Sequence, residues 1–426
     1  MTDEYELTTL ANGARVLARR MPQALSASLG FWVRAGGRHE TPALSGVSHF
    51  LEHLVFKGTR RWGCEELKRQ VEGVGGSLNG FTDEEYTCYL AKVPARYARR
   101  ALSALGEMVC RPRLAPKDVE RERDVILEEI RMYEDAPGQY VHDLMHALLW
   151  PNHPLGMLLS GTIDSVRRIK HRDLVAYWRL MYQPRNLLVT AVGQVEPRAV
   201  AAQARRLMGR LSGRPVRPVV RAPRPKRRPQ ARIWKKPTEQ THLCLGLYAV
   251  PRTHPDRFAL EILHVILGAN MSSRLFREVR EKRGLVYEIG SQVKRYADTG
   301  AFMISAGCDT GKLPQTLSTI ASELARMRIS SVPRAELARA KEYYAGQLIM
   351  GLEDTTDHML WAGEQVVTVG RPARAQALLA HIDRVSATDV RRVARRLFRS
   401  DRAHLAVVGP LAETEAPRLL GRCRIG

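Results

Sequence analysis

The stretch SHFLEHLVFKGT, Ser48–Thr59, carries two histidines and a glutamate in the order His49-x-x-Glu52-His53. On a helix, positions i, i+3 and i+4 share one face. Two imidazoles one turn apart can supply two of the three protein ligands of a catalytic zinc, and a glutamate on the same face can sit beside the metal as a proton acceptor. The same spacing also suits an amphipathic helix with two partly buried histidines. The metal reading needs a third ligand. APKDVERERDVILEEIRMYED, Ala115–Asp135, reads as a long helix: Pro116 fits a first turn, and Val119, Ile126 and Ile130 mark a buried stripe. Glu122 and Glu129 lie seven positions apart, on one face beside that stripe. A carboxylate buried there needs a partner, and a metal or a metal-bound histidine is one. A solvated acidic helix balanced by Arg121, Arg123 and Arg131 is the other reading. A rival pair stands in HDLMH, where His142 and His146 are spaced i, i+4 with Asp143 between them. Aspartate is a shorter base than the zincin motif uses, and a helix burying Leu144, Leu148 and Leu149 gives the same pattern.

The elements that must position these groups occur twice. SLGFWVRAG (Ser28–Gly36) resembles CLGLYAVPR (Cys244–Arg252), and LLVTAVGQV (Leu187–Val195) resembles HLAVVGPL (His404–Leu411). Gly30 and Gly246, like Gly193 and Gly409, are 216 positions apart. APKDVERERD and VPRAELARAK repeat at an offset of 217, and Asp135 of YEDAPG matches Asp354 of LEDTTD at 219. Steady offsets of this kind mark two copies of one fold. Each copy reads as an early strand (about 26–34; about 241–249), a helix, further strands (about 77–93; about 286–307), two or more helices, and a late apolar strand ending in glycine (186–192; 403–408). The pattern predicts an α+β fold with helices on one face of a mainly antiparallel sheet. At an offset of 216, His49, Glu52 and His53 become Val265, Gly268 and Ala269, so the second copy dispenses with the polar triad. The expected organisation is a first domain over 1–212, a linker over 213–237 and a homologous second domain over 238–426.

With 426 residues, 44% hydrophobic and 26% charged, the chain is globular and long enough for two cores. The net charge is +23, part of it local: Arg210–Lys236 holds eleven Lys/Arg, five prolines and no acid, and reads as an extended basic linker. No aromatic platform is interleaved with those charges, which argues against nucleic acid as a partner. The six cysteines form no C-x-x-C pair and read as reduced structural thiols. No apolar run reaches membrane-spanning length, and the acidic opening MTDEYELTTL does not read as a signal peptide. The expectation is a cytoplasmic protein with no membrane partner.

The residues around the motif resemble the pitrilysin/insulinase/mitochondrial-processing-peptidase family, peptidase family M16, in its bacterial single-chain form (M16B type). His49-Phe50-Leu51-Glu52-His53 with Phe56-Lys57-Gly58-Thr59 is similar to its inverted zinc motif. NGARVLARRMPQALSASLGFWVRAGGRHE, GGSLNGFTDEEYTCYLAKV, ERERDVILEEIRMYEDAP, HPLGMLLSGT, MYQPRNLLVTAVG and MSSRLFREVREKRGLVYEIGS resemble further family segments, in family order over nearly the whole chain. The resemblance implies two homologous domains of the LuxS/MPP-like metallohydrolase type that form a clamshell around an enclosed chamber. It implies that His49, His53 and Glu129 bind zinc, that Glu122 supports a ligand histidine, and that Glu52 activates water for attack on a peptide carbonyl. Asn79 and Gly80 would lie on the strand that holds substrate; the family often has alanine where this chain has Gly80. Arg280 and Tyr287, seven apart in REVREKRGLVY, would serve the substrate and the developing oxyanion from the second domain, and Phe276 would help line the cleft. The partners implied are a peptide substrate and either a second copy of the chain or a homologous partner. Three activities fit the family: an endopeptidase acting alone or as a homodimer, a catalytic subunit that needs an inactive homologue, and a non-catalytic scaffold. Retention of every zinc ligand favours catalysis.

Overall fold

A computed structural model describes residues 5–213, 219–225 and 228–425. Two compact units emerge, each with its own sheet. In the first, β1 (Glu6–Thr9), β2 (Arg15–Arg20), β3 (Ser26–Val33), β4 (Ser77–Thr82), β5 (Thr87–Pro94) and β6 (Leu187–Gly193) line up as β1-β2-β6-β3-β5-β4. In the second, β7 (Ala231–Lys235), β8 (Thr241–Ala249), β9 (Val286–Arg295), β10 (Gly300–Cys308) and β11 (His404–Gly409) line up as β7-β11-β8-β10-β9. Apart from β1, the two orders are the same. In both sheets one pair is parallel, β2 with β6 and β7 with β11, and the remaining pairs are antiparallel. The duplication read from the sequence is therefore a duplication of topology.

Each sheet buries both faces. One face of the first sheet meets the main core, to which the helices Val47–Val55, Ala98–Cys110, Pro116–Glu134 and Pro197–Met208 contribute. The other face presents Leu17, Trp32, Cys88, Leu188 and Val192, and one helix, Thr355–Val369, covers it with Met359, Ala362, Val366 and Val367. That helix comes from the second half of the chain. Reciprocally, Pro137–Leu149 comes from the first half and packs on β8 and β11 of the second sheet through Val141, Leu144 and Met145. The units consequently do not follow the two halves of the sequence. The first holds the described residues of Met1–Ile130, Leu158–Val220 and Ile349–Ala375, and the second those of Arg131–Met157, Arg221–Leu348 and Gln376–Gly426. The expected picture of helices on one face only is thus extended by one exchanged helix per sheet.

The repeated glycines of the early strands serve this exchange. A Cβ at Gly30 would stand 2.6 Å from the sulfur of Met359, and one at Gly246 would stand 2.2 Å from the sulfur of Met145. Only glycine lets the crossing helix approach the strand that closely.

Part of the segment read as a linker is a strand. Ala231–Lys235 forms β7, parallel to β11, with Ile233 buried and its neighbours turned outward. Its basic residues suit an edge strand, whose outer side meets water, and composition alone masked the pairing. Residues 214–218, 226 and 227 of that segment lie outside the described residues. Among the described residues, no helix is long and apolar enough to cross a membrane.

Candidate metal centre

The helix Val47–Val55 buries Val47, Phe50, Leu51, Leu54 and Val55, which leaves His49, Glu52 and His53 along one edge of its apolar stripe. Its start is fixed by a carboxylate. Glu40 accepts from the backbone N–H groups of Gly46 (2.7 Å) and Ser48 (2.8 Å), two donors that a helix N-terminus leaves without an internal partner. Gly46 adopts φ +90°, and a Cβ there would meet the Ser160 carbonyl oxygen at 2.5 Å, so the chain before the ligand helix is seated against the 158–161 segment.

Burial pushes the Glu40 carboxyl up from 4.5 to about 7, against the opposing pull of the Ser48 and Gly46 N–H groups. The folded protein therefore keeps a proton that the unfolded chain gives up between those values. The stability contributed by this group is greatest below pH 4.5, falls as pH rises towards 7, and is level above. Replacing Glu40 with glutamine is expected to remove that slope. Urea unfolding at pH 5 and pH 8 should show the variant gaining on the wild type as pH rises, and a pH-independent difference would contradict this account.

The long helix Pro116–Glu134 brings in the two carboxylates. Val119, Ile126 and Ile130 are buried in the main core, as their spacing predicts, and Arg123 lies over the Phe50 ring at 5.5 Å, which ties this helix to the ligand helix. Glu129 then faces both histidines: Oε1 is 3.6 Å from His49 Nε2, and Oε2 is 3.5 Å from His53 Nε2. Ligand atoms around a tetrahedral zinc with bonds of ~2.1 Å stand ~3.4 Å from one another. The two separations from the Glu129 carboxylate oxygens are close to that edge length. Among the described residues, His49, His53 and Glu129 form the one cluster of at least three metal-competent side chains, with ligand atoms within 4.8 Å of one another. The donor set, two imidazoles and a carboxylate, is one that zinc takes when a position is left for water.

Glu122 stands behind the cluster. Its Oε2 is 3.3 Å from His53 Nδ1, and its Oε1 is 2.7 Å from Lys57 Nζ. A hydrogen bond at Nδ1 leaves Nε2 as the ligand atom. Burial opposes ionisation of Glu122, yet the bonds from His53 and Lys57 prevail and hold its carboxyl below the usual range. Burial would also lower His53, but Glu122 and Glu129 outweigh it and raise the imidazole to about 9. His49 goes the other way, to about 4, first through burial and then through the charge of His53. Glu52 is 8% exposed, and burial raises its carboxyl above the ordinary value, while the Thr82 hydroxyl and the charge of His53 oppose the rise.

The comparisons with known proteins give the family. Residues 15–163 match the family described as Insulinase (Peptidase family M16), and residues 168–344 match the Peptidase M16 inactive domain. An uncharacterized zinc protease of Streptomyces coelicolor is 37% identical over 97% of this chain and 91% of its own length. This chain belongs to peptidase family M16. A second family member, an uncharacterized zinc protease of Bacillus subtilis, is 34% identical over 94% of this chain and 97% of its own. The crystal structure of a protease from Helicobacter pylori superposes with a TM-score of 0.88 at 22% identity, covering 96% of this chain and 99% of that one. At that identity it speaks for the fold.

The other M16 residues read from the sequence fall into two places. Asn79 and Gly80 lie on β4, an edge strand of the first sheet, paired with Leu90 and Tyr89 of β5. A Cβ at Gly80 would meet the Phe56 ring at 3.0 Å, so an alanine there would press on the residue that ends the ligand helix. Phe276, Arg280 and Tyr287 belong to the second unit. The Arg280 guanidinium lies over the rings of Phe276 (4.6 Å) and Tyr287 (5.2 Å), and Tyr287 is 75% exposed. The rival pair gains no third ligand: among the described residues, no metal-competent cluster includes His142 or His146. Both sit on the exchanged helix, with the His146 ring 5.5 Å from Trp150, so that helix covers a sheet. In the second copy, the residue 216 positions after Glu52 is Gly268, the last residue of the helix Arg257–Gly268. A Cβ there would be 2.6 Å from Ser291 Oγ, which leaves no room for a base.

Sequence reasoning passed over Glu40, Lys57 and Thr82. Lys57 lies within FKGT, but its contact with a glutamate 65 positions away has no local signature. Replacing Glu122 with glutamine is expected to weaken zinc binding about 10- to 100-fold, because His53 loses a charged acceptor at Nδ1. Competition with a zinc-binding dye reads this directly, and an unchanged Kd would exclude Glu122 from the metal centre.

Proposed function

We propose that this chain is a zinc-dependent endopeptidase that hydrolyses peptides or unfolded segments. The observation that carries the proposal is the approach of His49 Nε2 and His53 Nε2 to the two oxygens of Glu129 at tetrahedral-edge distance, with Glu52 on the same helix face. His49, His53 and Glu129 would hold the ion. Zinc, when bound, polarises a carbonyl and makes water acidic enough to attack at neutral pH.

The remaining work falls to the protein's own groups. Glu52, a buried carboxylate with a raised pKa, takes the proton of the attacking water and returns it to the leaving amine. Glu122, braced by Lys57, keeps His53 oriented. The peptide would bind as a strand added to β4, which among the described residues pairs on one side only and runs beside the ligand helix. In that arrangement main-chain hydrogen bonds give affinity largely independent of sequence, and Asn79 and Gly80 lie on the strand that makes them.

Stripping the metal with a chelator is expected to abolish hydrolysis of a mixed peptide library, and about one equivalent of zinc should restore it. If the zinc-loaded protein cuts no member of a broad library, or if the stripped protein cuts as well as the loaded one, the proposal fails.

A further inference from the structure

Glu52 Oε2 accepts a hydrogen bond from Thr82 Oγ1 at 2.7 Å. Thr82 is the last residue of β4, and alternation along that strand decides where its side chain goes. Leu78, Gly80 and Thr82 face the ligand helix: Leu78 packs against the main core, and a Cβ at Gly80 would touch Phe56. Phe81 turns to the opposite face, with its ring centroid 6.3 Å from that of Trp32. The direction of the Thr82 proton is set as well. Thr87 Oγ1 donates to the Ala35 carbonyl at 2.8 Å and stands 3.5 Å from Thr82 Oγ1. A carboxylate can only accept, so the Thr82 hydroxyl donates to Glu52.

We infer that Thr82 is a positioning residue for the base: its hydroxyl fixes the Glu52 carboxylate, so that the edge strand and the base are held as one piece. The inference rests on the function proposed above. Oε2 is engaged by Thr82, and Oε1 is left to take the proton. A peptide added to β4 would bind to the same strand that holds the base in place. A free carboxylate of this length samples several rotamers, and a misplacement of about 1 Å at a reacting group costs on the order of 100-fold in rate.

Thr82→Val removes the hydroxyl and keeps the shape, whereas Thr82→Ser keeps the hydroxyl. With zinc content and melting temperature near wild type, Thr82→Val is expected to lose about 10- to 100-fold in kcat with KM changed no more than about twofold. Thr82→Ser should recover to within about threefold of wild type, and Thr82→Ala serves as a second hydroxyl-free variant if valine does not fold. Equal losses in valine and serine, or a zinc-loaded valine variant with wild-type kcat, would overturn the inference. Crystal structures of the zinc-loaded proteins give a readout that does not depend on turnover. Glu52 should occupy one conformer bonded to residue 82 in wild type and Thr82→Ser, and should be displaced or split in Thr82→Val. An unchanged Glu52 in the valine variant overturns the inference whatever the kinetics. If the wild type itself cuts no peptide, the proposed function falls, and the crystal structures still decide the role of Thr82.

Discussion

Glu52→Gln is expected to keep about one zinc per chain while kcat falls by roughly a thousandfold or more. Glutamine has nearly the shape of glutamate and can still accept from Thr82, so the ligand helix and the three metal ligands should stay in place. It cannot take up a proton at neutral pH. A positioned general base contributes ~10²–10⁴ in rate, and Glu52 is proposed both to accept a proton and to return it, which puts the loss at the upper end. KM should change little, because the peptide is proposed to bind through β4 and the loss then falls on the chemical step. Zinc analysis of the purified variant and steady-state kinetics on one cleaved peptide test both halves. Full activity in Glu52→Gln would refute the assignment of the base.

Glu129→Ala should behave in the opposite manner and lose the metal and the activity together. A structural zinc site is worth ~10–16 kcal/mol in all, so one of three protein ligands carries on the order of 4 kcal/mol, or about a thousandfold in Kd. His49→Ala is expected to match it. Removal of Glu129 also leaves the two histidines, whose ring centroids are 4.7 Å apart, without the anion between them, and Glu122 then balances His53 from behind. Zinc affinity by competition is the primary measurement. Excess zinc should restore part of the activity in Glu129→Ala and none in Glu52→Gln, which separates a ligand from a base. Tight zinc binding in Glu129→Ala would transfer the third-ligand role to another group.

Much of the fold was legible because apolar runs bounded by glycine are local signals. The early strands expected at about 26–34 and 241–249 are observed at Ser26–Val33 and Thr241–Ala249, and the late ones fall within a residue or two of expectation. The exchange of Pro137–Leu149 and Thr355–Val369 was not legible. An apolar stripe states that a helix is buried and does not say against which sheet. β7 was hidden for a related reason: an edge strand with one buried residue in five looks like a basic tether until its partner β11 is known.

In the metal centre the division is the same. Helical periodicity alone put His49, Glu52 and His53 on one face and Glu122 and Glu129 on another, because those relations depend only on the rise and turn of a single element. It left a choice between two candidate histidine pairs and between a ligand helix and a solvated acidic one. The family resemblance implied His49, His53 and Glu129 as the ligands; the tertiary structure set Glu129 against both Nε2 atoms, turned His142 and His146 to the cover of another sheet, and placed Glu40, Lys57 and Thr82 around the ligand helix. Those contacts join residues far apart in sequence. They are fixed by which apolar faces must be buried together, a requirement that the whole chain satisfies at once and that no single stretch records.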